Sequence, residues 1–204
     1  SAHYLIEENG DIYQLVAEEK RAWHAGVSYW MGQSNLNDCS IGIELVNPGH
    51  ENGYRLFPLA QMQSLVLVIR HLQQHYAIPA RRIVGHSDIA PTRKIDPGEL
   101  FDWQWLAGQG IGFWPKPQVF SLSPRSNAFY PSLVEEGLRK VGYEIKSANP
   151  ADLSLVIKAF QRHFRPSQVD GEIDRETMEI LNGLLLSLGE KSLPEIQMEL
   201  NGYR

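Results

Sequence analysis

The sequence predicts an α/β (α+β) fold in which a central mixed β-sheet is flanked by helices, followed by a small C-terminal three-helix domain. Three observations lead to this prediction. Short apolar strand patterns occupy the N-terminal part, one long amphipathic helical pattern covers 59–76, and apolar residues recur at helical spacing after position 131. With 204 residues, 43% of them hydrophobic, the chain is long enough for one sizeable core and a small second domain.

The first predicted element is a β-hairpin centred on Asn9-Gly10. Tyr4 and Ile6 precede this pair and the apolar positions of 12–15 follow it. An Asn-Gly pair between two such runs is the strongest local signal for a hairpin. Because the chain enters this strand pattern directly at Ser1, we expect that residues belonging to the fold lie upstream of it.

A second strand is predicted over residues 40–46. Strand side chains alternate between the two faces, so Glu44 shares a face with Gly42. A carboxylate inside a mostly apolar strand is costly unless it is paired, hydrated or functional. Glu44 is therefore either a solvated residue or a general base, and we favour the base because Gly42 leaves open space over the sheet for water or a substrate.

The long helix predicted over 59–76 should cover one side of the sheet, and it ends at Ile78-Pro79. After it, the apolar character of 82–84 predicts a short buried strand. His86 would then sit at the end of that strand, in front of an irregular loop marked by Pro and Gly residues.

Several prolines among Ser and Asn residues indicate a linker in the middle of the chain. We predict a first domain over 1–115, a linker over 116–131 and a helical domain over 132–188, and we leave the tail over 189–204 unassigned. The third helix of the helical domain should open with Asp174 as its N-cap and Glu176 in its first turn. The acidic stretch before it lacks the residue order of a calcium loop, so we interpret it as a turn between helices.

Composition excludes several classes of function. The net charge of −5 argues against binding nucleic acid through bulk charge. No apolar run approaches the ~20 residues of a membrane span. The single cysteine, Cys39, rules out an internal disulfide, and without a visible base beside it we predict a small buried residue rather than a nucleophile.

The loop over 85–98 holds the strongest chemical signal. It combines His86, Asp96 and Lys94 with a Pro97-Gly98 turn. Imidazole nitrogen and carboxylate oxygen both bind Zn²⁺, and a hydrolytic zinc takes three protein ligands and a water. A nearby cation suits the oxyanion that forms when water attacks a carbonyl. The loop is therefore predicted to supply two ligands of a zinc site, and the third ligand must come from elsewhere in the protein.

Other polar residues carry weaker signals. Asp88 is a rival carboxylate ligand but is more easily a turn or helix cap. Trp23 and His24 lie between small residues, where they either line a pocket for substrate or serve as ordinary packing. We interpret the remaining histidines as structural or solvated; they are His3, His50, His71, His75 and His163.

Together these motifs resemble the zinc-dependent N-acetylmuramoyl-L-alanine amidases, the superfamily that includes phage amidases and animal peptidoglycan-recognition proteins. The motifs that carry the resemblance are Ser1-Ala2-His3-Tyr4, Ala22-Trp23-His24-Ala25-Gly26, Leu36-Asn37-Asp38, Ser40-Ile41-Gly42-Ile43-Glu44, and Gly85-His86 through Gly98. The resemblance implies that His86 and Asp96 are zinc ligands, that Lys94 stabilises the oxyanion, and that Glu44 activates the attacking water and protonates the departing amine. It also implies a first zinc ligand, a histidine, on a strand that would precede Ser1.

The C-terminal part resembles the helical domain of outer-membrane lipoprotein amidases of this superfamily, a domain similar to peptidoglycan-binding modules. The stretch from Phe160 to Pro166 carries this second resemblance. It implies peptidoglycan and muropeptides as partners, and a place in the bacterial cell envelope at the periplasmic face of the outer membrane. Membrane contact would come only through a lipid anchor upstream of the chain, and we expect a monomer.

Two other functions remain open from the sequence. The first is a non-catalytic peptidoglycan-recognition module, because superfamily members without a full ligand set bind the wall without cutting it. The second is a zinc peptidase acting on the D-alanines of the stem peptide. The presence of Glu44, Lys94, His86 and Asp96 together favours the amidase, because a binding module does not need that full set.

Overall fold

The computed structural model describes residues 1–122, 130–146 and 149–202. Its first part contains a three-stranded sheet of β1 (Tyr4–Ile6), β2 (Ile12–Gln14) and β5 (Ile43–Leu45), in the order β2-β1-β5. β1 pairs antiparallel with β2 and parallel with β5, so the predicted mixed sheet is confirmed. A separate two-stranded ribbon, β3 (Tyr29–Trp30) and β4 (Gln33–Ser34), has no counterpart in the sequence-based prediction.

The predicted hairpin forms, with a turn longer than the Asn-Gly pair alone. Ile6 pairs with Ile12, and the backbone N–H of Glu7 donates to the carbonyl of Asp11 at 2.9 Å. Gly10 has a φ of 95°, a conformation that glycine adopts without steric cost. The turn therefore holds β2 at the sheet edge, where all three of its residues are exposed.

Helix α1 (Leu59–Tyr76) matches the predicted helix at both ends. Ala77 leaves the helix in the left-handed conformation, directly before Ile78-Pro79. One face of α1 packs on β1, and the amide of Gln61 donates to the carbonyls of Ile6 and Val46 at 2.9 and 3.0 Å. These contacts hold α1 against β1 and against the end of β5.

The predicted strand over 82–84 is wrong. Ala80–Arg82 forms a 3₁₀ helix, and Ile83 is extended but is not part of any strand pair in the described residues. Without a neighbouring strand, an extended segment has no ladder of backbone hydrogen bonds. His86 therefore opens the short helix α2 (His86–Ile89) instead of ending a strand. The strand predicted over 40–46 is likewise shortened to β5, whose three residues match the three of β1 that pair with it.

The C-terminal part contains the three predicted helices, α4 (Tyr130–Val141), α5 (Pro150–Phe164) and α6 (Arg175–Ser187). A further helix, α7 (Leu193–Leu200), forms in the tail that the sequence left unassigned, so the expected three-helix domain has four helices in the described chain. The side chains of Ser192 and Glu195 cap α7 reciprocally. This Ser-x-x-Glu capping box is the sequence signal that could have predicted the helix.

The acidic stretch before α6 is the predicted turn. The carboxylate of Asp174 accepts a hydrogen bond from the backbone N–H of Thr177 at 2.8 Å, as expected of an N-cap. The guanidinium of the buried Arg165 lies 3.4 Å from Asp170 and 2.5 Å from Asp174. Hydrogen bonds from the Glu172 backbone and from Gln168 lower the pKa of Asp170 to about 2. The carboxylates of Asp170 and Asp174 thus accept hydrogen bonds from the protein itself, as expected of a turn between helices.

The two parts of the chain share one hydrophobic cluster. Trp30 and Leu36 from the first part are buried with residues of α4 to α7. The backbone N–H of Met31 also donates to the carbonyl of Gly142 at 2.9 Å. Within the predicted linker, the N–H of Gln118 donates to a carbonyl of α6 at 2.9 Å, while positions 123–129 lie outside the described residues. None of the helices in the described part is long and apolar enough to span a bilayer.

Candidate active site

His86 and Asp96 meet at the end of the loop that the sequence singled out. The Nδ1 atom of His86 lies 3.0 Å from Oδ2 of Asp96. The backbone N–H of Ser87 donates to the carbonyl of Asp96 at 2.8 Å, which ties the loop to the start of α2. The structure therefore places an imidazole nitrogen and a carboxylate oxygen side by side, ten residues apart in sequence.

The second imidazole nitrogen of His86 faces the protein. Its Nε2 lies 3.1 Å from the carbonyl oxygen of Ala25. A hydrogen on Nε2 can be donated to this carbonyl, and the tautomer that carries only this hydrogen leaves the lone pair of Nδ1 for a metal, in place of the hydrogen bond between Nδ1 and Asp96. Arg93 donates to the same carbonyl at 2.7 Å and to that of Val27 at 3.0 Å. Sequence reasoning missed Arg93, because nothing in its local context distinguishes it from a solvated loop residue.

Tyr54 fixes the other side of this loop and was also missed. Its hydroxyl donates to the carbonyl of Pro97 at 2.7 Å and accepts from the backbone N–H of Leu100 at 2.9 Å. Gly98 has a φ of 88° and lies against the Tyr54 hydroxyl, where a Cβ atom has no room. The turn directly after Asp96 is therefore held from outside the loop, by a residue more than 40 positions away in sequence.

The charges around Asp96 keep its carboxylate ionised. Desolvation raises its pKa, but the hydrogen bond with His86, the charge of His86 and the charge of Lys94 outweigh this effect and lower the pKa below its usual value. Lys94 and Asp96 both line the same cavity. A carboxylate oxygen beside an imidazole nitrogen is donor chemistry that suits zinc.

His86 and Asp96 have the chemistry of two zinc ligands. Among the residues that the structure describes, no group of three or more His, Cys, Asp or Glu side chains is arranged to hold a metal ion. The rival ligand Asp88 is 1% exposed, and both of its oxygens accept hydrogen bonds from protein donors. Asp88 thus acts as the cap that the sequence favoured.

An open cavity of about 1460 Å³ lies over this pair. Its wall includes side chains from β5, from α1 and from the loop over 85–98. All six candidate residues from the sequence line it: Trp23, His24, Glu44, His86, Lys94 and Asp96. The exposed side chain of Glu44 comes from the centre of β5, where the residue pairs with Leu5 of β1.

The space over Gly42 is not open, contrary to the sequence-based expectation. The imidazole of His24 covers it, and a Cβ atom at position 42 would overlap three of the His24 side-chain carbons. The Nε2 atom of His24 lies 2.9 Å from the hydroxyl of Ser40. Burial, and next the charge of His3, lower the pKa of His24 to about 4, so the imidazole is neutral at neutral pH. The open space that the sequence predicted over Gly42 is therefore filled by this imidazole.

We expect Gly42→Ala to displace His24 and to destabilise the protein by about 1–3 kcal/mol, because overpacking forces neighbouring groups to shift. Urea unfolding measures this change in the free energy of unfolding. Gly108→Ala is the matched control, because a Cβ atom at this position in α3 (Trp103–Gly108) meets no atom within 4 Å. Equal stability of the two variants would contradict the assigned role of Gly42.

Trp23 is exposed at the mouth of the cavity, with 65% of its surface accessible. This exposure argues against the alternative in which it is a packing residue. The guanidinium of Arg21 lies 3.8 Å from the centre of its ring, and Arg21 also pairs with Asp38 at 2.9 Å. Arg21 thus covers one face of the indole, and Asp38 holds Arg21 in this position.

The other histidines have structural partners. Nδ1 of His3 accepts from the N–H of Gly42 at 3.1 Å, His50 lies 3.1 Å from Glu99, and the buried His163 contacts Asp88. Cys39, in contrast, is exposed, so its prediction as a buried residue is wrong. It follows the 3₁₀ helix Leu36–Asp38 directly, and its neighbours Asp38 and Ser40 are exposed as well.

Comparison with known proteins places these features in context. Residues 1–99 match the family model described as N-acetylmuramoyl-L-alanine amidase, and residues 132–181 match that of a putative peptidoglycan binding domain. The chain is 42% identical over 208 residues to the N-acetylmuramoyl-L-alanine amidase AmiD of Escherichia coli (strain K12), covering 93% of this chain and 75% of that protein.

Solved structures show the same similarity. The complex of AmiD from E. coli with the substrate anhydro-N-acetylmuramic acid-L-Ala-D-gamma-Glu-L-Lys matches with a TM-score of 0.82 and 40% identity, over 94% of this chain and 81% of that one. AmpDh3 from Pseudomonas aeruginosa, in complex with anhydromuramic pentapeptide, matches with a TM-score of 0.79 and 34% identity, over 92% and 82% of the two chains.

Proposed function

The chain belongs to the N-acetylmuramoyl-L-alanine amidase family, and from this premise we propose that it hydrolyses the amide between the lactyl group of N-acetylmuramic acid and L-alanine, using a zinc ion bound by His86 and Asp96. One observation supports the assignment of the site above all others. Nδ1 of His86 and Oδ2 of Asp96 lie 3.0 Å apart, in a cavity that Glu44 and Lys94 also line. A third protein ligand completes the set that a hydrolytic zinc needs.

When bound, zinc supplies a Lewis acid that polarises the scissile carbonyl and acidifies water. The chain's own residues do the rest. His86 and Asp96 hold the metal, with Nε2–H of His86 donating to the carbonyl of Ala25. Glu44 takes a proton from the attacking water as the new C–O bond forms. It returns that proton to the alanine nitrogen as the C–N bond breaks, which gives a lactyl carboxylate and a free peptide amine.

Lys94 has the role of a fixed positive charge. Its ammonium acts on Asp96 electrostatically and lines the cavity beside it. A cation in this place stabilises the negative charge that develops on the carbonyl oxygen during attack. Trp23 and His24, from the motif over 22–26, also line the cavity. We assign them to contact the muropeptide, with the exposed indole face of Trp23 binding the sugar or the peptide.

Cell-wall turnover is the process that fits this reaction. The similarity to AmiD supports peptidoglycan and muropeptides as partners. We propose a place at the periplasmic face of the outer membrane from the resemblance of the C-terminal sequence to outer-membrane lipoprotein amidases. Subcellular fractionation of the native host, with the protein detected by antibody, tests this location. Recovery from the cytosol alone would contradict it.

Product analysis tests the activity. The zinc-loaded protein is incubated with a defined muropeptide, and the products are identified by mass spectrometry. We expect N-acetylmuramic acid with a free lactyl carboxylate and an intact peptide that begins with L-alanine. Release of D-alanine would instead identify a peptidase of the stem peptide, and binding without any product would identify a recognition module.

A further inference from the structure

Two buried polar contacts between the two parts of the chain converge on the helix that carries His86. Asp88 lies in α2, two residues after His86, and is 1% exposed. Its Oδ2 accepts from the backbone N–H of Gly85 at 2.7 Å and lies 2.8 Å from Nδ1 of His163. Its Oδ1 accepts from the hydroxyl of Tyr143 at 2.6 Å. Three donors thus surround this buried carboxylate, and the two side-chain donors belong to the C-terminal part.

Both side-chain donors are buried and packed against aromatic rings. Tyr143 and His163 are 2% and 3% exposed. The His163 ring stacks on Trp103 of α3, with 3.8 Å between the ring centres. The ring of Tyr143 meets the edge of Trp30, with the centres 5.0 Å apart. Each donor is therefore packed against an aromatic side chain of the first part while it bonds to Asp88.

The position of α2 depends on these contacts. The helix has only four residues, too few for its own backbone hydrogen bonds to stabilise it. Gly85 and His86 form its start, and Asp88 ties that start to the C-terminal part. A buried carboxylate that loses a donor moves to regain one, because an unpaired buried polar group is costly. Any such shift of Asp88 displaces His86 relative to Asp96.

We propose that the C-terminal part holds the metal-binding helix in place, with Tyr143 and His163 as positioning residues that act on His86 through Asp88. This inference rests on the proposed function, in which His86 binds zinc. It gives the C-terminal part a role in catalysis, separate from any contact that this part makes with the wall. Partners hydrogen-bonded directly to a metal ligand typically change metal affinity or activity 10–100-fold when they are removed. Tyr143 and His163 act one residue further away, so we expect a change at the lower end of this range.

Tyr143→Phe tests the proposal by removing one hydroxyl. Zinc affinity is measured by competition with a chromophoric chelator, and kcat and KM are measured on a muropeptide with the variant saturated with zinc. We expect zinc affinity to fall about tenfold and kcat to fall with KM little changed. Thr177→Val is the matched control, because it also removes one buried hydroxyl of the C-terminal part, one that contacts Gln161 at 3.3 Å. We expect this control to keep the zinc affinity and kcat of the unchanged protein.

A second pair of variants carries the test if Tyr143→Phe does not fold. His163→Asn keeps an N–H donor close to the Nδ1 position, and His163→Leu does not. We expect the Asn variant to retain more zinc affinity than the Leu variant. Equal zinc affinity within this pair, or equal affinity of Tyr143→Phe and Thr177→Val, would overturn the positioning role. If the unchanged protein neither bound zinc nor hydrolysed muropeptide, the proposed function would fail instead.

Discussion

Asp96→Ala is expected to remove both zinc binding and hydrolysis. The substitution deletes one of two metal ligands that come from this loop, and it leaves His86 without the carboxylate that lies 3.0 Å away. Loss of a direct ligand should exceed the effect of losing a supporting partner, so we expect zinc affinity to fall by more than about 100-fold. Metal analysis after gel filtration and a muropeptide assay at high protein concentration measure the two effects.

Asp102→Ala provides the control for this prediction. Asp102 lies six residues further along, and its carboxylate accepts from the backbone N–H of Trp105 at 2.8 Å as the N-cap of α3. Removing this cap should cost about 1 kcal/mol of stability but leave zinc content unchanged. If Asp96→Ala retained one equivalent of zinc with ordinary affinity, Asp96 would not be a ligand, and the metal site would have to be assigned to other residues.

Glu44→Gln should separate catalysis from metal binding. The amide is nearly the same size as the carboxylate but cannot take a proton from water, so we expect turnover to fall by about 10²–10⁴-fold, the usual contribution of a general base. Zinc content and the free energy of unfolding should not change, because Glu44 is exposed at the cavity. The measurement is kcat on a defined muropeptide, with zinc content determined on the same sample.

Glu7→Gln is the matched control for the general base. It makes the same chemical change on a residue that directly follows β1 in the same sheet and that does not line the cavity. We expect it to hydrolyse muropeptide at the rate of the unchanged protein. A Glu44→Gln variant with normal turnover would show that another group accepts the proton, and the mechanism would need a different base.

Local patterns in the sequence were sufficient for the elements whose stability comes from nearby residues. The helix over 59–76 was predicted to the residue, because its apolar period and its end at Ile78-Pro79 are both encoded locally. The N-cap at Asp174 followed from the same kind of signal. Even α7, which was missed, has a capping box that local reading can detect.

The failures concern features that distant residues decide. The segment over 82–84 has strand character, but a strand exists only where a partner supplies backbone hydrogen bonds. Gly42 was expected to face open space, yet the ring of His24, eighteen positions earlier, covers it. Cys39 was expected to be buried but is exposed directly after the 3₁₀ helix Leu36–Asp38, because burial requires other elements to pack over a side chain.

The sequence by itself determined the mixed α+β fold class, the family, and the residue types that the chemistry needs, because these depend on local periodicity and on short motifs. Only the tertiary structure decided which hydrogen-bond partners surround those residues. The carbonyl of Ala25 on His86, the hydroxyl of Tyr54 on the turn after Asp96, and the pair Tyr143 and His163 on Asp88 all join positions at least 40 residues apart. Such contacts follow from the packing of whole elements against one another, and no local pattern in the chain records them.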